Sequence, residues 1–475
     1  MKINIFKPFK LFTIVLFFLS SVIFSQSIVT IVIDTKHSGE EIPSDFIGLS
    51  FEMERLLPDK KGNYFFSKDN KALLATFKTL GIKSLRVGGN TADKPAVKVP
   101  EENDIDNLFA FAKEANVKVI YTLRLREGNP EQAAQTVKYI IDRYSQYLDC
   151  FAIGNEPNVF AKEYVVYREE WEKYVELIIE KSPNAKFCGP SSTPGKVEWA
   201  NSFANDFGKS GLLKFISQHA YPGGNGSKVT DQSAARREML SKSWIESYEK
   251  FYEAFVPAVK TIGLKYRIEE VNNFYNGGAV NVSNTFASSI WGLDYLHWWA
   301  SHGADGINFH TGDSVAAGEN MNPCMYASFV TSPKGYTVRP LGYAIKTFNL
   351  GSHGKALPIK ITKSKDDLNL SAYAFSSNAD NLYITLINKE NGVNAKNAEV
   401  TMKINKNIKN AKVIYLINDG KNLAATAGVM LGNSKIEDNA AWNGKWSELK
   451  LKNKINEISI NVPVSSAVVV KLNLK

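Results

Sequence analysis

Eight short apolar runs, each ending in polar residues, recur between residues 46 and 311 and limit the fold more than any other feature. They are FIGLSFEM (46–53), SLRVGGN (84–90), VKVIYTLR (117–124), CFAIGNEP (150–157), AKFCGPSS (185–192), KFISQHAY (214–221), YRIEEVNN (266–273) and DGINFHT (305–311). Helix-like stretches lie between them, at residues 104–115, 130–147, 163–181 and 243–262 among others. Strand, helix and strand in repetition imply right-handed βαβ units and a parallel sheet. Eight such units predict an α/β fold of the (β/α)8 TIM barrel type. A doubly wound open sheet would usually show a Gly-rich phosphate turn after its first strand, and none is present. Gly208-Lys209-Ser210 imitates part of a P-loop, but Phe203 stands where the motif needs its first glycine.

After about Gly351 the texture changes to short β-type runs separated by Asn, Gly, Lys and Asp, such as LYITLIN, KVIYLIN and AVVVKLNL. This predicts an antiparallel β-sandwich. SIVTIVID (27–34) is also a strand, with no place inside the barrel, and is expected to cross over and join the sandwich. The division that follows is a signal segment at 1–25, an N-terminal sandwich strand within 26–42, the barrel at 43–350 and the sandwich at 351–475.

The chain has 475 residues, which suits two or three domains. Hydrophobic residues at 44% and charged residues at 22% are globular usage and exclude disorder, collagen or coiled coil for the whole. Lys2, Lys7 and Lys10 precede a 14-residue apolar run, LFTIVLFFLSSVIF, too short to span a bilayer and fitting a secretory signal. Export to the periplasm or medium is expected, with no membrane span once the signal is removed. Three cysteines cannot form a disulfide framework, and Cys150 and Cys188 read as free buried thiols unless their strands are neighbours. Asn225, Asn281 and Asn369 start glycosylation sequons, relevant only in a eukaryotic secretory pathway. The net charge of +9 is diffuse. It tolerates an anionic substrate, and no basic block or aromatic–basic stripe suggests nucleic acid.

In a (β/α)8 barrel, chemistry sits at the C-terminal ends of the strands. Polar residues there include Glu52, Arg86 to Asn90, Arg124, Arg126, Asn155, Glu156, His219, Tyr221, Glu269, Glu270, His310 and Asp313. Glu156 ends the fourth strand and Glu269 or Glu270 the seventh. Those two ends face each other across the mouth. Paired carboxylates there suit glycosidic bond cleavage, one protonating the leaving oxygen and the other, ionised, attacking the anomeric carbon. The bland alternative makes each glutamate a helix cap or the partner of an arginine, and it must account for both positions and the Asn-Glu-Pro context together. Alternation turns Asn155 partly away, so reaching a sugar hydroxyl from it requires a local distortion of the strand.

These stretches resemble glycoside hydrolase family 79, the β-glucuronidase and heparanase-like group within the clan of retaining (β/α)8 glycosidases. The resemblance rests on FIGLSFEMERL, LRVGGNTADK, AIGNEPN, QHAYPGG, RIEEVNNFYNGG and GINFHTGD, with TVRPLGYAIKTF after the barrel. The family pattern of Glu, four residues, Tyr and then glycines fits Glu270 with Tyr275, Gly277 and Gly278. It implies Glu270 as nucleophile and Glu156 as acid/base, with Glu269 turned toward the helices. It further implies that Asp93 holds sugar hydroxyls and that Tyr221 hydrogen-bonds the nucleophile. Tyr275, Gly335 and Tyr336 would grip a substrate carboxylate through neutral donors.

The expected activity is that of a retaining exo-β-glucuronidase acting on a glucuronide or glucuronic-acid-containing glycan, with no cofactor and no metal. Alternatives are a heparanase-like endo-enzyme, a 4-O-methyl-glucuronidase or a non-catalytic glycan-binding protein. His219, His302 and His310 lack zinc-ligand spacing and read as structural or substrate-contact residues, while Trp298 and Trp299 read as packing.

Overall fold

The computed structural model describes residues 26–318, 320–363, 368–451 and 455–475. The expected signal at 1–25 lies outside the described residues. A first strand, β1 (Gln26–Ile33), precedes eight parallel strands that close into a barrel. These are β2 (Ile47–Glu52), β3 (Ser84–Gly88), β4 (Lys118–Leu123), β5 (Leu148–Ile153), β6 (Phe187–Ser192), β7 (Leu213–Ala220), β8 (Lys265–Val271) and β9 (Ile307–His310). Each falls within or against one of the eight apolar runs, and the barrel is the expected one. Nearly every residue of these strands is buried, because the barrel interior covers one face and the helices the other.

Local chemistry sets the helix ends. The helix Pro130–Tyr144 starts with Pro130 in its first turn and the Asn129 side chain accepting from the Gln132 N–H. The helix Glu102–Ala115 opens on a capping box between Glu101 and Asp104. The helix Phe286–Ser301 is buried all round except at its last residue, with Trp298 5% and Trp299 0% exposed, so both tryptophans pack as expected.

Two hairpins follow the barrel: β10 (Ser314–Ala317) with β11 (Asn320–Pro323), and β12 (Phe329–Ser332) with β13 (Gly335–Val338). The sandwich comes next. One sheet contains β14 (Lys355–Leu357), β16 (Leu370–Asn378), β17 (Asn381–Asn388), β19 (Ile408–Asn418), β20 (Val429–Leu431), β21 (Ser447–Glu448) and β23 (Ser466–Leu474). The other runs β15 (Ile359–Lys363), β1, β18 (Asn397–Ile404), β22 (Glu457–Val462).

The N-terminal strand does join the sandwich, but one pairing departs from the expected antiparallel pattern. β1 runs antiparallel to β15 and parallel to β18 from Gln26↔Asn397 to Ile33↔Ile404. A parallel pair needs a long crossover, and here the entire barrel supplies it. Val29, Ile31 and Ile33 enter a core of their own with Val400, Met402, Ile460 and Val470. Across the barrel–sandwich contact, Lys389 Nζ lies 2.7 Å from Asp294 Oδ2, and the Tyr373 hydroxyl donates to Asp294 Oδ1 at 2.8 Å. Cys150 and Cys188 are free and buried inside the barrel beside Ile120, Ala152 and Phe215. Among the described residues, no helix is long and apolar enough to cross a membrane.

Candidate active site

At the end of β5 the strand breaks. Gly154 has φ +85° and Glu156 φ +47°, both in the left-handed region. That turn is the distortion Asn155 requires, and it brings Asn155 and Glu156 to line one cavity. Three backbone bonds hold it. Gly154 N–H donates to Leu123 O at 2.9 Å, Asn155 N–H to Asp93 Oδ2 at 2.6 Å, and Glu156 N–H to Ser191 O at 3.0 Å.

Simple alternation fails in β8. The register with β7 runs from Gln218↔Ile268 to His219↔Glu270, so Glu269 is the extra residue of a bulge. Both glutamates therefore point into the barrel, which corrects the expectation that Glu269 faces the helices. Glu269 is fully buried, accepts a hydrogen bond from Ser191 Oγ, and lies 3.6 Å from Cys188 Sγ. Glu270 sits above it at the cavity floor. Its Oε1 accepts from the Tyr221 hydroxyl at 2.8 Å, and its Oε2 lies 2.5 Å from Arg86 Nη1.

Arg86, in the middle of β3, is wholly buried and also donates to Ser50 Oγ at 3.1 Å and Asn155 Oδ1 at 2.7 Å. Two histidines complete the surround. His310 Nδ1 lies 3.9 Å from Glu270 Oε2, and its Nε2 lies 3.5 Å from Glu52 Oε1. His219 Nδ1 lies 3.0 Å from Glu156 Oε1 and 4.0 Å from Glu270 Oε1, while its Nε2 lies 3.7 Å from Glu269 Oε1.

These contacts set the charge states. Burial alone would raise the Glu270 pKa, but the charges of His310, His219 and Arg86, with the Tyr221 bond, hold it well below the usual carboxylate range. Burial would likewise lower His219, but the Glu270 charge, the hydrogen bond to Glu156 and the Glu269 carboxylate 3.7 Å from Nε2 push it up to about 9. Glu269 is lowered to about 2, because His219, Arg86 and Ser191 outweigh the burial that would raise it.

The cavity above the glutamates has a volume of about 690 Å³. Asp93, Asn155, Glu156, Tyr221, Glu270 and Tyr275 all line it. Asp93 braces the strand ends, its carboxylate accepting from the N–H groups of Leu125 at 2.7 Å, Arg126 at 2.9 Å and Asn155. Burial raises its pKa against those bonds. Tyr275 is 42% exposed, with its ring edge-on to Tyr221 at 6.2 Å between centroids.

Gly335 and Tyr336 are not part of this cavity. They lie in the β12–β13 hairpin, where the Tyr336 N–H donates to Asp438 O at 2.8 Å and its hydroxyl accepts from Asn70 Nδ2 at 2.8 Å. The Tyr336 ring is buried against Phe65 and Phe329. Both of its polar groups are thus committed elsewhere, and it cannot grip a ligand in the cavity. Tyr326 does line the cavity, 6.3 Å from Tyr221 and 6.2 Å from His310 between ring centroids. Sequence reasoning missed it, and did not assign Arg86 or the two histidines beside Glu270 to the site. Arg86 had a signal, a lone charge inside an apolar strand run. His302, by contrast, caps the helix Phe286–Ser301 and stacks on Trp298.

Glu156, His219 and Glu270 offer ligand atoms within 4.8 Å of one another, a grouping a metal ion could use. The electrostatics favour a different use. A guanidinium already sits 2.5 Å from Glu270 and would repel a dication, and a metal ligand must be a neutral imidazole while His219 holds its proton strongly.

The closed eight-stranded parallel barrel carries its paired glutamates at the ends of the fourth and seventh strands, the end where chemistry sits in a (β/α)8 barrel. The fold matches a 4-O-α-L-rhamnosyl-β-D-glucuronidase from Fusarium oxysporum with a TM-score of 0.69, at 15% identity over 93% of this chain and 99% of that one. The family model for glycosyl hydrolase family 79, N-terminal domain, matches residues 124–297. Mouse heparanase is 27% identical over 241 residues, 46% of this chain and 44% of that protein. A β-glucuronidase from Neurospora crassa is 24% identical over 189 residues, 35% of this chain and 34% of that enzyme. The match thus spans less than half the length of these relatives. Residues 124–297 are thus similar to the family 79 N-terminal domain, and the partial relatives include heparanases and β-glucuronidases, in keeping with the resemblance its motifs carry.

Proposed function

We propose that the protein is an exported, retaining exo-β-glucuronidase. The observation that carries this reading is the approach of the Glu156 and Glu270 carboxylates to within 4.8 Å. A gap that short suits direct attack, whereas inversion needs room of about 6.5–9.5 Å for a water between carboxyl groups. Glu270, ionised by Arg86 and the histidines, attacks C1 as Glu156 gives its proton to the leaving oxygen. The glycosyl–carboxylate ester forms as the glycosidic bond breaks. Glu156, now ionised, takes a proton from water, whose oxygen attacks C1 and releases the sugar and Glu270. Asn155 and Asp93 support sugar hydroxyl recognition, and the Tyr275 and Tyr326 hydroxyls are neutral donors in the cavity for a substrate carboxylate, the Tyr221 hydroxyl being committed to Glu270. The lysine-flanked apolar N-terminal segment supports export.

The test is hydrolysis of p-nitrophenyl β-D-glucuronide beside the β-glucoside and β-xyloside. The reading expects strong preference for the glucuronide. Preference for either neutral glycoside would remove the glucuronide reading.

A second reading, a heparanase-like endo-enzyme, draws on the similarity to heparanase and on Lys94 and Arg126 in the cavity wall. Such an enzyme would release internal fragments from a uronate-containing polysaccharide, whereas an exo-enzyme releases only monosaccharide.

A further inference from the structure

Beneath the two site carboxylates lies a third that the double-displacement scheme does not use. Glu269 is fully buried and does not line the cavity, so it cannot touch substrate. The β8 bulge turns it inward, and the Ser191 hydroxyl anchors its Oε1 from the neighbouring strand. Ser191 itself has φ +56° and a 2.9 Å contact to Ser217 Oγ. The same Glu269 oxygen faces His219 Nε2 at 3.7 Å, and the opposite ring nitrogen, Nδ1, faces Glu156 at 3.0 Å.

We propose that Glu269 is a positioning residue that fixes the His219 imidazole against Glu156, so that the Glu156–His219 pair keeps the proton needed for leaving-group departure. This inference rests on Glu156 acting as the acid. The buried imidazole has carboxylates on both of its nitrogens, and that geometry favours its cationic form. Other groups enter the balance. Glu270 from β8 faces Nδ1 at 4.0 Å and favours the cation. Arg86 from β3 and His310 from β9 oppose it through Glu270. The Tyr221 hydroxyl and Cys188 are neutral neighbours of Glu270 and Glu269. The direction of the His219 and Glu269 pKa shifts agrees with this arrangement. Without Glu269 the pair would lose its proton at lower pH, since a neighbouring carboxylate raises an imidazole pKa.

The test is the pH profile of kcat/KM on an aryl β-glucuronide for the wild type, E269Q, H219Q and the double variant. Its basic limb reports the acid of the free enzyme, here the coupled pair. E269Q is expected to move that limb down by about one to two pH units, with KM at the optimum unchanged. In the H219Q background, Glu269→Gln is expected to move it no further, because Glu269 acts through the ring. A purely structural role would lower kcat or stability and leave the limb in place, and that result overturns the proposal. So does an equal shift with and without His219. S191A, which frees the Glu269 carboxylate without removing its charge, replaces E269Q if the latter lacks a cooperative melt. It should move the limb down by less, and an unmoved limb counts against the proposal. E156A separates the two levels. Full activity in E156A removes the glucuronidase reading itself, whereas an inactive E156A beside an unmoved E269Q limb removes only the role of Glu269.

Discussion

Gly154→Ala tests whether the β5 turn aims Glu156. The wild-type residue has φ +85°, and a Cβ built on it would meet Leu125 Cδ2 at 3.0 Å, Leu125 Cβ at 3.1 Å and Asp93 Oδ2 at 3.5 Å. A left-handed alanine costs about 1–2 kcal/mol, and crowding against a buried leucine adds about 1 kcal/mol or more. The total is about 2–3 kcal/mol. The chain has two ways to meet it. If the turn holds, stability falls by that amount and activity stays close to wild type. If the turn relaxes, the strain is released and Glu156 moves. A displacement of about 1 Å then lowers kcat/KM by about a hundredfold. Urea denaturation followed by tryptophan fluorescence measures the first, and initial rates on an aryl glucuronide the second. The losses should trade against each other, with at least one large. A variant with wild-type stability and wild-type kcat/KM would refute the claim that the left-handed turn positions the acid.

Asp294→Ala leaves the Lys389 ammonium, 2% exposed, without its partner and should cost about 3–5 kcal/mol in a denaturant titration. The double variant D294L/K389M should recover most of that loss, and additive losses would contradict the pairing. The Glu270 pKa is depressed by folding, so its contribution to stability is present above the ordinary value of 4.5 and is lost as pH falls through the folded value. The acid limb of kcat/KM should therefore lie below 4.5, and a limb above that value would contradict the charge balance around Glu270. Tyr336→Phe should leave KM for the glucuronide unchanged, while Tyr275→Phe should raise it; the opposite order would restore the hairpin to the site.

The barrel was legible because each parallel strand is an apolar run that turns polar where it meets the mouth, as CFAIGNEP and YRIEEVNN do. Glu156 could be read for the same reason. The bulge at Glu269 could not, because alternation with period 2 assigns adjacent residues to opposite faces and carries no mark of an inserted residue. The resemblance to the family pattern, with its Tyr five residues on, pointed to Glu270, and the structure adds that both glutamates turn inward. Tyr336 was misplaced because its hairpin docks on Asn70 and Asp438, contacts made across long stretches of chain. The cage of Arg86, His219 and His310 comes from three strands and exists only once the barrel closes. The parallel pairing of β1 with β18 was equally hidden, since each strand alone reads the same in either direction.

The central claim is that Glu270 forms the glycosyl bond. It is tested most directly by trapping the enzyme with a 2-deoxy-2-fluoro-β-glucuronide bearing a good leaving group, followed by peptide mass mapping. The account predicts one sugar per chain, attached to Glu270 and not to Glu269, and no adduct at that residue in E270Q. A label on another residue, or an enzyme that turns over aryl glucuronides without ever forming an adduct, would contradict it.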